Sequence, residues 1–130
     1  MARIVLDTTV LIDVLRGRPA AERVRDLMEH REVVLTTAVN IEEIYRGLRG
    51  EETAAADELV AALLVLPVGR EDAVRAGRWR GGFARRGITL HQADCLIAAT
   101  AVGVRARLAT GNPKDFPMTE LTVEEWPVGK

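Results

Sequence analysis

The chain has one cysteine, two histidines and few aromatic residues (4%), and each scarcity removes a class of function. A single thiol, Cys95, excludes an internal disulfide and fits a reducing compartment, so the cytosol is the expected location. Its simplest reading is a small buried apolar residue. His30 and His91 stand alone in the sequence and form no zinc cluster with it, which leaves them surface or capping roles. No apolar run approaches the roughly 20 residues of a membrane span, and Asp7 ends the N-terminal apolar stretch too early for an export signal. Charge of one sign is also missing. Eighteen basic and 19 acidic groups leave a net −1, which gives no global argument for a nucleic-acid partner.

What is present suits a single domain over residues 1–130: 48% hydrophobic residues for a core and 28% charged residues for a surface. There is no repeat, low-complexity tract or linker. One segment is locally basic. Between Arg70 and Arg86 six arginines face only Glu71 and Asp72, a balance of +4. On charge alone that is a solvated helical face.

The apolar pattern alternates short strands with helices. Residues 2–6 read as a buried strand ending at Asp7; Thr8 and Thr9 then open a helix that Gly17 stops. Pro19 suits the first turn of a second helix. Val33-Val34-Leu35 is a second strand, after which Thr36/Thr37 begin a helix with Ile41, Ile44, Tyr45 and Leu48 on one stripe. Residues 51–66 read as a helix and 66–68 as a short edge strand containing Pro67. Residues 70–86 are helical, with Gly81-Gly82 loosening or breaking the helix. Thr89 and Gln92 match a capping box opening a buried helix to about residue 102. Residues 107–109 and 121–123 are the last strands. Such alternation predicts an α/β fold with a parallel sheet covered on both faces. Ligands gather beyond the carboxyl ends of such strands, which directs attention to Asp7, to the segment after Leu35 and to the segment after Ala109.

Acidic residues stand at those places. Asp7 directly follows the first strand; a helix N-cap is the structural alternative, although Thr8 and Thr9 cap equally well. Asp94 lies in Ala93-Asp94-Cys95-Leu96-Ile97-Ala98-Ala99, where no other charge occurs, and an unpaired buried carboxylate is costly without a compensating cation. A divalent metal supplies that compensation; an arginine salt bridge is the alternative. Glu42 can pair with Arg46 one turn on, whereas Glu43 has no such partner, and periodicity leans towards Glu43 without deciding. After the fourth strand come Asn112 and Asp115 in a turn-forming segment. Oxygen donors of this kind suit Mg²⁺ or Mn²⁺ rather than zinc.

Four blocks, LDTTVLIDVLRG, TTAVNIEEIYRGL, QADCLIAATAVG and LATGNPKDF, run in order from residue 6 to residue 116. Together they resemble the PIN domain, in particular its VapC toxin branch. The resemblance implies a three-layer α/β/α sandwich around a short, mostly parallel sheet. It also implies a Mg²⁺- or Mn²⁺-dependent endoribonuclease, a homodimer and a cognate antitoxin partner covering the site. Carried over position by position, the family's acidic residues fall on Asp7, Glu43 and Asp94, with Glu43 selected by Glu43-Ile44-Tyr45-Arg46-Gly47. The fourth site falls on Asn112, a neutral variant, with Asp115 as the candidate for the missing charge or as a turn cap. Thr9 and Thr110 fall where supporting hydrogen bonds are implied.

The expected chemistry is hydrolysis of an RNA phosphodiester by a metal-activated water. Arg78 and Arg85 are candidates for substrate phosphates, and Trp79 for a base or for the core. Leu48, Leu63 and Trp126 are candidates for a partner contact or for the core. An alternative within the same resemblance is a PIN-fold RNA-binding or scaffold protein with weak or lost catalysis. A Mg²⁺-dependent aspartyl phosphatase would want an aspartate where Thr9 stands. A phospho-receiver domain would want an acidic pair where the sequence has Asp7-Thr8.

Overall fold

A computed structural model describes residues 2–129. Its five strands are β1 (Arg3–Leu6), β2 (Val33–Thr37), β3 (Leu64–Leu66), β4 (Arg107–Thr110) and β5 (Val123–Glu125). They form one sheet in the order β3-β2-β1-β4-β5, and all four pairings are parallel. The expectation of a mostly parallel sheet is thus met in full. Six α-helices connect and cover the strands: α1 (Thr8–Leu15), α2 (Pro19–Glu29), α3 (Ala38–Gly47), α4 (Thr53–Ala62), α5 (Arg70–Arg85) and α6 (Gln92–Gly103).

Side chains alternate across the sheet, because successive residues of a strand point to opposite faces. Ile4, Leu6, Val34 and Ala109 pack on one face with Val10, Leu11, Val24, Ile44 and Trp126. Val5, Leu35 and Leu108 pack on the other with Trp79 of α5 and Cys95, Ile97 and Ala98 of α6. The result is three layers. From β1 the chain moves outward one way through β2 and β3, and the other way through β4 and β5. The reversal leaves a crevice at the carboxyl ends of β1 and β4, where open α/β sheets bind ligands.

Several local expectations are corrected. Helix α4 stops at Ala62, and β3 occupies residues 64–66 rather than 66–68. Pro67 has no N–H to give the ladder, so the strand ends before it. Residue 36 belongs to β2, and Thr37 both closes that strand and caps α3, its hydroxyl accepting from the Asn40 N–H. Helix α5 runs unbroken through Gly81-Gly82, held by its packing on α6. The Thr89 cap does not form: α6 starts at Gln92 with His91 at the cap position and no side-chain cap bond. The last strand is 123–125, not 121–123. Gly17 ends α1 as expected, at φ 67°, where a side chain is strained.

Leu63 and Trp126 are core residues, 7% and 1% exposed, and Leu48 is half-buried against the same cluster. Trp79 is likewise in the core, its indole N–H donating to Glu120 at 2.7 Å. None of these three large apolar side chains, Leu63, Trp79 or Trp126, is free to meet a partner or a base. Among the described residues, no helix is long and apolar enough to cross a membrane.

Candidate active site

The crevice is built from the first residues after three neighbouring strands. Asp7 follows β1, and its backbone N–H is tied to Ala109 O on β4 at 2.9 Å. It occupies the cap position of α1 but makes no side-chain cap bond, so the capping alternative fails. Its two oxygens are held from opposite sides. Asn40, one turn into α3, donates Nδ2 to Oδ1 at 3.2 Å, and Thr110, the last residue of β4, donates Oγ1 to Oδ2 at 2.7 Å. Each oxygen keeps a second lone pair for another donor or a cation.

Glu43 lies one helical turn after Asn40 on α3 and is half-buried, accepting from Thr8 Oγ1 at 2.7 Å. Glu42 points outward and binds Arg46 through two 3.0 Å contacts. Of the two glutamates, Glu43 is the one that faces Thr8 beside Asp7. Asp94 sits in the first turn of α6, half-buried. Asp115 ends the short 3-10 turn Pro113–Asp115 and shares a cleft of about 230 Å³ with Asp94, His91 and Lys114.

Burial and neighbouring charges both act on these acids. Burial is the main cause that raises the Asp7 pKa; hydrogen bonds from Thr110, the Thr8 backbone and Asn40 oppose it, and the Glu43 charge adds to it. Burial likewise pushes Asp94 up to about 6, with further contributions from the charges of Asp115, Asp7 and Glu43 and a small opposing one from His91. The ion pairs of the described residues include none of Asp7, Glu43, Asp94 and Asp115. The arginine salt bridge considered for Asp94 is absent among them. The charges of Asp115, Asp7 and Glu43 thus all reach Asp94, while His91 and Lys114 line the cleft it shares with Asp115.

The remaining assignments divide. Thr9 Oγ1 accepts from the Gly111 N–H at 3.0 Å, and Thr110 Oγ1 accepts from the Asn112 N–H at 3.1 Å while donating to Asp7. Both threonines thus hydrogen-bond to the turn after β4, and Thr110 also to Asp7. Asn112 is exposed and stands at the turn after β4, held there by its backbone. Arg78 and Arg85 lie on α5 and are exposed. Arg78 lines a cleft of about 640 Å³ with Arg70, Arg75, Trp79 and Glu120. That cleft shares Glu120 with another at the amino ends of β1 and β4, beside Arg3 and Arg107, so it opens away from Asp7. Thr8, Thr37 and Asn40 were not anticipated as site residues. The one local signal was their density of small polar side chains directly after two strands.

Among the described residues, no three histidine, cysteine, aspartate or glutamate side chains are grouped closely enough to hold a metal ion as they stand. The donor set nonetheless fits a hard cation. Mg²⁺ keeps several waters and takes only one or two protein carboxylates at a typical site. All donors here are oxygens, and none is neutralised.

The PIN domain family model matches residues 4–119, and the chain belongs to that family. A relative, ribonuclease VapC19 of Mycobacterium tuberculosis, is 37% identical over 118 residues, covering 87% of this chain and 91% of its own. VapBC2 from Rickettsia felis, solved with a DNA fragment from its promoter, superposes with a TM-score of 0.85 at 18% identity, covering 95% and 98% of the two chains. VapBC-5 from Mycobacterium tuberculosis, a member of the VapBC family of toxin–antitoxin systems, gives a TM-score of 0.67 at 26% identity, covering 98% and 100%.

Proposed function

We propose that this chain is a Mg²⁺- or Mn²⁺-dependent endoribonuclease and the toxin of a toxin–antitoxin pair. The reading is supported by Asp7 and Glu43, which Asn40 and Thr8 link by hydrogen bonds at the switch point of a parallel sheet, by Asp94 and Asp115 sharing a cleft, and by the absence of all four from the ion pairs of the described residues. The similarity to a named ribonuclease and to toxin–antitoxin proteins supplies the substrate class and the partner.

Asp7, Glu43 and Asp94 would hold the cation, with Asp115 and the Asn112 side chain at the rim. Held by these residues, a divalent ion would supply Lewis-acid activation of water and charge stabilisation at the scissile phosphate. The chain's own part is positioning. Asn40 and Thr110 hold Asp7, Thr8 holds Glu43, and the first turn of α6 carries Asp94 next to the buried Cys95. Fixed donors and acceptors need no reorganisation as the reaction proceeds, which is the main source of electrostatic catalysis. The same resemblance implies a second copy of the chain as partner, which sedimentation of the purified protein tests.

The deciding experiment is cleavage of total RNA by the purified, partner-free chain with Mg²⁺, with Mn²⁺ and with EDTA, alongside folded Asp7→Asn and Asp94→Asn variants. Discrete, metal-dependent cleavage lost in both variants establishes the nuclease. Absence of cleavage by the folded, metal-supplemented chain leaves the alternative of a PIN scaffold without catalysis, to which the neutral Asn112 already points. Growth arrest on induction of the chain, relieved by Asp7→Asn, tests the toxin role.

A further inference from the structure

We propose that Asn40 and Thr8 form a positioning relay that sets Asp7 and Glu43 at a common cation site; the proposal rests on the metal-dependent reading above. Asn40 is fully buried, and both ends of its amide are committed. Its Oδ1 accepts from the Thr37 N–H at 3.3 Å and from Thr37 Oγ1 at 2.8 Å. Its Nδ2 donates to Asp7 Oδ1 at 3.2 Å and to Thr8 Oγ1 at 3.0 Å. Thr8 has one hydroxyl proton, and it goes to Glu43 Oε1 at 2.7 Å.

The direction of this chain is forced. A flipped amide would face its oxygen to the Asp7 carboxylate and its NH₂ group to the Thr37 N–H, losing both of those bonds, and would draw the Thr8 proton away from Glu43. Because Asn40 donates to Thr8, the Thr8 hydroxyl is free to donate onward, and Glu43 is the acceptor it meets. Donors therefore run in one sense, Thr37 to Asn40 to Thr8 to Glu43, with a branch at Asn40 to Asp7.

Helix capping does not account for the arrangement. The capping box of α3 uses Asn40 Oδ1 and the Asn40 N–H. An aspartate at position 40 has the same oxygen and would cap equally. An ionised aspartate has no proton for Asp7 or Thr8, whereas the Asn40 NH₂ group donates to both. The amide nitrogen thus has no role in the helix and two contacts in the crevice. Two neighbouring carboxylates repel, and neutral donors shared between them offset that repulsion without supplying a cation of their own. Outer hydrogen-bonding partners of this kind orient metal ligands, and their loss typically weakens metal binding about 10- to 100-fold.

The test is Mn²⁺ binding to the full chain by titration calorimetry, without RNA, for the wild type, Asn40→Asp, Thr8→Val and the double variant, with circular dichroism as a fold check. Each single variant is expected to bind Mn²⁺ about 10-fold or more weakly. The double variant is expected to match a single one instead of multiplying the two losses, because both break one relay. Thr8→Ser, which keeps the hydroxyl, is expected to restore wild-type binding. Should Asn40→Asp fail to fold, the Thr8→Val and Thr8→Ser pair decides alone. Unchanged affinity, or losses that multiply, overturns the relay and leaves the metal site standing. A wild type that takes up no Mn²⁺ overturns both.

Discussion

Thr110 Oγ1 donates to Asp7 Oδ2 at 2.7 Å across 103 residues of sequence, joining the ends of two adjacent parallel strands. The same oxygen accepts the Asn112 N–H at 3.1 Å, so one buried hydroxyl fixes both an acid and the turn that follows β4. Thr110→Val keeps the shape and removes both bonds. Expected are a loss of about 1–3 kcal/mol in unfolding free energy, from a buried carboxylate left short of a donor, and weaker Mn²⁺ binding. Chemical denaturation and metal titration read the two effects. Thr110→Ser should recover most of each, and a valine variant as stable and as metal-competent as the wild type would remove the hydroxyl's role.

Asp94 gives a pH signature with an unusual sign for a carboxylate. Its folded pKa of about 6 lies above its ordinary 3.8, so between those values the folded state holds more proton than the unfolded one. Stability from this group therefore falls as pH rises through that window, and above it the charged form is a standing cost. Asp94→Asn removes the cost. The variant is expected to melt at the wild-type temperature below about pH 4 and higher above pH 6. After discounting for solvent screening, the gain is on the order of 1 kcal/mol. Added Mg²⁺ or Mn²⁺ should close the gap by stabilising only the protein that keeps the charge. A difference that persists unchanged at pH 3.5 would falsify the assignment to Asp94 ionisation.

The layered fold was legible because β1, β2 and β4 centre on short β-branched or apolar runs and α6 is apolar on nearly every side, whereas β5, Val-Glu-Glu, carries no such run and lies two residues later than expected. Asp94 announced itself as the lone charge in that helix, and Asp7 by following β1 directly. Glu43 needed the spacing to Gly47, since Glu42 differs from it only in facing Arg46. Asn40 was not legible. Its partners Asp7 and Thr8 are 33 and 32 residues away, and in its own helix it looks like an ordinary first-turn residue. Thr89 misled for the converse reason: its local motif is sound, but the chain reaches helical geometry only at Gln92. Local rules find what local bonds determine, and a crevice assembled from three strand ends is not of that kind.

Gly111 is constrained by contact rather than by its backbone angle. A Cβ there would lie 3.1 Å from Val128 Cβ and 2.8 Å from its Cγ1, and closer still to Cγ2. Val128 is β-branched and short, so it has no free end to swing aside. Gly111→Ala is expected to cost about 1–3 kcal/mol by overpacking and to disturb the Gly111 N–H bond to Thr9. Combining it with Val128→Ala should return most of the stability. Equal melting of Gly111→Ala and the wild type would show that the C-terminal segment does not press on this turn.

Arg78 and Arg85 are exposed cations on one helix, and neither is in an ion pair among the described residues. If both meet RNA phosphates, each alanine substitution should flatten the dependence of log affinity on log salt by about 0.7 for single-stranded RNA. The measurement is filter binding of RNA in EDTA over a range of salt. The two positions make a directional comparison. The Arg78 cleft opens away from Asp7, whereas Arg85 is on the last turn of α5, which leads into the loop before Asp94. Short RNAs that fill only the acidic crevice should therefore sense Arg85→Ala and ignore Arg78→Ala, and longer RNAs should sense both. Equal insensitivity at every RNA length would return the basic helix to the role of a solvated face.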